Sequence, residues 1–179
     1  MRAQHKLATI LCGVSGEYFV AAELSRLGHV ASRTLRNTRG IDLLASNADA
    51  TKTVGIQVKT NQGPRRDWIL NKKGENVADN LFYVFVRLNG SSMPAFHIVP
   101  RATVAKCVRA DHKAWLKAPG RGMRTHVDSA IRKFRDPNDQ YLGRWDLLGL
   151  DELPNCGNQL VYADAERRVS GDYEFRSAS

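Results

Sequence analysis

The chain has 179 residues, 42% of them hydrophobic and 25% charged, which is enough apolar material for one packed domain and too much for a disordered tract. Lys and Arg number 27 against 18 Asp and Glu, a net charge of +9; this favours a polyanionic partner, nucleic acid first, over a basic surface kept only for solubility. Three distant cysteines, Cys12, Cys107 and Cys156, give no zinc spacing and no disulfide framework, so a reducing, cytoplasmic setting is expected. The short run Leu7–Cys12 after Arg2 and Lys6 is followed soon by Glu17 and does not make an export signal. No run approaches the roughly 18 apolar residues of a membrane span.

Residues 14–28 read as a helix, with Ser15 as a cap and Gly28 as its stop. At 100° per residue Val14, Val20, Ala21, Leu24 and Leu27 share one side. Glu17 falls within that side, so its carboxylate points inward; taken alone it is also an ordinary first-turn glutamate favoured by the helix dipole. Phe19 falls outside the stripe. Residues 29–35, 40–46 and 53–60 read as strands. The short polar link 47–52 between the last two makes them an antiparallel pair. Period two puts Asp42 with Leu44 on one face, and Gln57 with Lys59 on one face of the next strand. Whether the two faces coincide depends on the register, which sequence does not fix.

Residues 61–80 are polar, with a short strand expected at 68–70. The run Leu81–Val86 reads as a central strand buried on both sides, and Ala95–Val99 as its neighbour, ended by Pro100. Residues 101–117 read as a second helix. Val104, Val108 and Trp115 share one face, and Lys106, Arg109, Lys113 and Lys117 form a stripe opposite. Ten Lys and Arg fall between residues 101 and 135, against Asp111 and Asp128. Such a stripe is either a solvated face or a contact with nucleic acid. Beyond 119 the pattern loosens. Residues 141–148 are expected to pack back on the core, and the segment after Ala165 reads as a polar tail. The chain is divided accordingly into a core, 1–118, and a C-terminal extension, 119–179, packed on the core or trailing from it.

The chemistry-bearing residues stand out against this background. Asp42, Gln57 and Lys59 lie in apolar, strand-forming sequence, where unpartnered polar groups are costly to bury. Their pattern suits a divalent cation and an activated water; the plain alternative is a buried Asp42–Lys59 ion pair with Gln57 hydrogen-bonded to it. The five histidines show no HxH, HExxH or HxxxH spacing, and there is neither a Walker loop nor a GxSxG elbow.

In order, the helix Gly16–Gly28 with Glu17, the strand Gly40-Ile41-Asp42-Leu43-Leu44 and the strand Ile56-Gln57-Val58-Lys59-Thr60 resemble the PD-(D/E)XK nuclease superfamily. The likeness covers residues 13–118 and is nearest to small bacterial members with resolvase-like or restriction endonuclease-like cores. It implies an α/β fold: an α-β-β-β-α-β core with a mixed central sheet flanked by helices. It also implies a metal-dependent endonuclease hydrolysing phosphodiester bonds in DNA with Mg²⁺ or Mn²⁺. Asp42 would anchor the metal, with oxygens from Gln57, the Val58 carbonyl and Glu17. Lys59 would hold or deprotonate the attacking water. Arg65, Arg66, Lys106, Arg109, Lys113 and Lys117 are the candidate phosphate contacts. DNA is the expected partner; RNA and a homodimer are compatible with it, and a membrane role is not expected. One departure matters: the usual acid of the ExK motif is here Gln57, a neutral oxygen that weakens metal binding. A degenerate member that binds nucleic acid or a partner protein without cleavage is the alternative.

Overall fold

The computed structural model describes residues 6–35 and 40–151. Two α-helices, α1 (Thr9–Arg26) and α2 (Arg101–Lys117), flank a mixed sheet of strands β1 (Val30–Arg33), β2 (Leu43–Ser46), β3 (Thr53–Asn61), β5 (Leu81–Asn89) and β6 (Ser92–Pro100). A separate two-stranded ribbon pairs β4 (Asp67–Asn71) with β7 (Ile131–Arg135). The sheet order is β1-β2-β3-β5-β6. Neighbours are antiparallel except β3 and β5, which run parallel. This is the mixed α/β sheet with flanking helices anticipated from the sequence. The parallel crossover from β3 to β5 is made by β4 and a 3₁₀ turn (Lys72–Glu75), and α2 follows β6. Among the described residues no helix is long and apolar enough to cross a membrane.

Side-chain alternation divides the core between the two faces of the sheet. On the α1 face, Val20 and Leu24 pack with Leu43, Ile56, Val58, Val84, Ile98 and Leu150. On the other face, Val104 and Val108 of α2 meet Tyr83, Phe85, Trp68 and Phe134. Phe85 and Phe134 stack with centroids 4.5 Å apart, and the Trp68 indole N–H donates to the Val86 carbonyl at 3.0 Å. Strand β5 is buried along almost its whole length, as expected of a strand covered on both sides.

Several elements differ from expectation. The first helix begins five residues before Val14 and runs straight through Ser15, which is not a cap. The extra turn buries Cys12 in the core, and that burial replaces a side-chain cap. Gly28 does end the helix, at φ 87°, a conformation that glycine adopts at little cost. Trp115 is not in the core; it is 39% exposed and stacks on His126 at 4.0 Å. Strand β7 was not anticipated, because Arg132 occupies an inward position and hides the alternation. That arginine is buried, ion-paired with Glu75, and donates to the Ser129 carbonyl at 2.6 Å.

The 141–150 stretch does pack back on the core: Leu148 and Leu150 are buried, and Trp145 lies 5.5 Å from Phe96. Its anchor is a buried pair. His97 Nδ1 and Asp136 Oδ2 are 2.7 Å apart, and the Asp136 carboxylate also accepts from the backbone N–H groups of Gln140 and Tyr141. The polar tail read after Ala165 lies outside the described residues.

Candidate active site

Asp42 sits just ahead of β2 rather than inside it. Backbone bonds hold it on both sides: its N–H donates to the Ile56 carbonyl at 2.8 Å, and its carbonyl accepts from the Thr34 N–H at 3.0 Å. Its side chain prolongs the ladder, with Oδ2 accepting from the Val58 N–H at 2.8 Å. The register pairs Leu44 with Gly55. Counting outward by two would put Asp42 on the face of Gln57 and Lys59, but Asp42 lies beyond the strand and its side chain, turned back to the Val58 N–H, lines the cavity of Glu17 instead.

Asp42, Val58 and Lys59 line one cavity of about 580 Å³ together with Glu17 of α1. Gln57 does not line it. Gln57 lines a second cavity, of about 780 Å³, on the α2 side, with Lys59, Tyr83 and Arg101. Lys59 is common to both because a long side chain at the end of β3 reaches the rim between them. Lys59 takes part in no close ion pair among the described residues, and acts on Asp42 through its charge.

Burial pushes the Asp42 carboxyl above the usual carboxylate range. The hydrogen bond from Val58 and the charges of Lys59 and Arg33 pull the other way, and the charge of Glu17 adds to the rise. The Glu17 charge therefore disfavours ionisation of Asp42. Glu17 has a partner of its own that the sequence did not suggest. Arg33 Nε and Nη2 both donate to Glu17 Oε2, at 3.1 and 2.7 Å, while the Arg33 guanidinium lies 4.5 Å over the Tyr18 ring.

Two polar atoms on residues of the cavity wall, the Thr60 hydroxyl and the Asn61 amide oxygen, are buried and have no hydrogen bond among the described residues. A buried polar atom left unpaired is costly and is ordinarily met by a water, an ion or a ligand. Thr60 is pressed against α1, where Gly16 makes room; a Cβ built there would lie 1.9 Å from Thr60 Oγ1. The close approach of α1 to β3 brings Glu17 to the cavity.

Two carboxylates and a neighbouring ammonium fit a hydrated hard cation, since Mg²⁺ keeps several waters and takes only one or two protein carboxylates. Among the described residues no group of three or more His, Cys, Asp and Glu forms a denser metal cage.

The candidate phosphate contacts are scattered. Arg65 lines a third cavity that Lys59 also lines. Arg66 is ion-paired with Asp139 at 2.7 Å. Lys106, Arg109, Lys113 and Lys117 line none of the three cavities that share Lys59. Sequence reasoning gave no role to Arg33, Thr60 or Tyr83, and tertiary contact alone brings them to these cavities or to the residues that line them.

No protein-family model and no curated protein matches the chain. Among solved structures it is similar to a bacterial homing endonuclease, I-Ssp6803I, at 14% identity and a TM-score of 0.46, over 92% of this chain and 100% of that one. It is also similar to Hjc, a Holliday junction resolvase from Archaeoglobus fulgidus, at 15% identity and a TM-score of 0.45, over 78% of this chain and 98% of that one.

Proposed function

We propose that this chain is a metal-dependent endonuclease-like phosphodiesterase acting on DNA, centred on Asp42 and Lys59. The observation that carries the reading is the convergence of Asp42, Glu17 and Lys59 on one open cavity. A buried structural ion pair would instead be closed off and internally satisfied.

In the hydrolysis a water oxygen bonds to phosphorus, one ester P–O bond breaks, and the leaving oxygen gains a proton. Asp42 and Glu17 would hold Mg²⁺ or Mn²⁺, with the Val58 carbonyl as a further candidate oxygen; such an ion supplies charge relief at the phosphoryl oxygens and a more acidic water. The Val58 N–H fixes the Asp42 carboxylate in place. Lys59 is available to hydrogen-bond a phosphoryl oxygen or the attacking water. Gln57, across the rim, is placed to contact the substrate or to support Lys59.

The second reading is a module that binds nucleic acid without cutting it. Two observations favour it: Gln57 lies outside the cavity of the two acids, and Arg33 already occupies one oxygen of Glu17. The discriminating experiment is cleavage of supercoiled plasmid DNA with Mg²⁺ or Mn²⁺. Conversion to nicked or linear product, lost in Asp42→Ala and Lys59→Ala, supports the enzyme. Binding without conversion under either metal supports the module.

A further inference from the structure

The outer face of the β4–β7 ribbon mixes charged groups with exposed hydrocarbon. Inward positions carry Trp68, Leu70, Arg132 and Phe134, all buried. Outward positions carry Ile69, 70% exposed, and Ile131, 60% exposed, among the polar residues Asp67, Asn71, Lys133 and Arg135. The ladder pairs Ile69 with Lys133 and Asn71 with Ile131, so the two isoleucines are diagonal neighbours on one face. Single exposed apolar residues are common; two together, beside a charged cavity, are less so.

Both isoleucines line the cavity of about 780 Å³ that holds Gln57 and Lys59. Its described lining contains the cations Lys59, Lys73 and Arg101 and no Asp or Glu. Arg101 is the positioning residue of this wall. It donates to the Asn76 carbonyl at 2.8 Å and the Lys73 carbonyl at 3.1 Å, which fixes the 3₁₀ turn presenting Lys73. The Lys73 side chain is itself exposed and takes part in no ion pair among the described residues.

On the far side of Lys59 lies the cavity of about 660 Å³ lined by Lys6 and Arg65. Its one carboxylate, Asp67, is 3.3 Å from Lys133 Nζ and so is locally neutralised. The two cavities share Lys59 and Ile69. Cations thus stand on both sides of a saddle formed by one ammonium and one isoleucine.

We infer that these two cavities form the track of a DNA strand, with Lys73 and Arg65 contacting phosphates on either side of Lys59, and Ile69 and Ile131 contacting sugars and bases. The spacing of charge and hydrocarbon suits that polymer, which alternates phosphate with apolar sugar and base faces. An acidic peptide would supply the charge without regular apolar surface. The inference rests on the reading of Lys59 as the group that meets the scissile phosphate. It assigns affinity to the ribbon and its flanking turn rather than to the Lys stripe of α2.

The test is binding of a fluorescein-labelled DNA duplex by the full chain in EDTA, followed by anisotropy across a salt series, so that cleavage plays no part. Lys73→Gln and Arg65→Gln should each flatten the slope of log affinity against log salt by about 1. Ile69→Ala should weaken binding roughly threefold to tenfold with the slope unchanged, because it removes apolar contact and no charge. Lys113→Gln and Lys117→Gln should leave both quantities at parent values. An unchanged slope in Lys73→Gln, a slope carried by Lys113 and Lys117, or no binding of DNA by the parent overturns the track. A protein that shows the expected slopes but never cleaves with added metal retains the track and loses the hydrolytic reading; one that cleaves while its slope ignores Lys73 does the reverse.

Discussion

The two cavities that meet at Lys59 differ in whether carboxylates line them. On the α1 side Asp42 and Glu17 face each other, and both burial and the neighbouring charge raise the Asp42 carboxyl. On the α2 side no described acid lines the wall, and Lys73 and Arg101 stand beside two isoleucines. The first side brings two carboxylates to one wall, each already partnered, Glu17 by Arg33 and Asp42 by the Val58 N–H, an arrangement suited to sharing a cation. The second carries unrelieved positive charge, as expected where a polyanion is to lie. A strand of three successive residues, Gln57-Val58-Lys59, serves both, because alternation sends Val58 into the α1-side core while Lys59 bridges the rim.

The largest effect expected is on turnover. Lys59→Ala and Asp42→Asn should each lower the rate of metal-dependent DNA cleavage by about 10²- to 10⁴-fold, measured with enzyme in excess over substrate. Cleavage at the parent rate in either variant breaks the assignment of chemistry to the α1-side cavity.

The next effect is on the ribbon. Asp136→Ala removes the acceptor for His97 Nδ1 and for the N–H groups of Gln140 and Tyr141. Breaking a buried pair of this kind costs about 3–5 kcal/mol, which urea denaturation would register as a lower midpoint. A loss under about 1 kcal/mol would mean that the Phe85–Phe134–Trp68 cluster anchors the ribbon without it.

Gly16→Ala sharpens the comparison from the α1 side. A methyl at that position runs into Thr60, so overpacking of about 1–3 kcal/mol is expected. Because Thr60 neighbours Lys59, cleavage should fall further than stability alone explains, while DNA affinity in EDTA stays near the parent value. Unchanged thermal stability would show that α1 can move away from β3 at no cost.

The smallest effect concerns pH. The folded-state pKa of Asp42 is raised, so its contribution to stability is fully present below its unfolded value and is lost as pH rises through the folded one. Asn in its place removes that loss. Asp42→Asn should therefore match or exceed the parent in melting temperature at neutral pH, and its advantage should shrink as pH is lowered. An advantage that grows on acidification contradicts the raised carboxyl.

Much of this arrangement was legible in the sequence, for physical reasons that can be named. Alternation alone placed Gln57 and Lys59 on one face, and the short link 47–52 made β2 and β3 antiparallel. The bounds of α2 followed from Pro100 before it and from Pro119 and Gly120 after it. The rest depended on contacts between distant segments. Ser15 looked like a cap because side-chain capping is local, whereas the burial of Cys12 that starts the helix earlier is tertiary. Strand β7 escaped notice because its inward Arg132 is paid for by Glu75, 57 residues away. The split between Gln57 and the two acids was hidden because it depends on how Asp42 bends back to the Val58 N–H. The exposed hydrocarbon on the ribbon face became visible only once β4 and β7 were paired.

The central claim is that Asp42 and Glu17 share a divalent cation. Calorimetric titration of the full chain with Mn²⁺ addresses it without DNA and without turnover. The account predicts saturable binding that tightens as pH rises through the ionisation of Asp42, and its loss in Asp42→Asn, a variant that remains folded by circular dichroism. Equal Mn²⁺ affinity in the parent and in Asp42→Asn would contradict it.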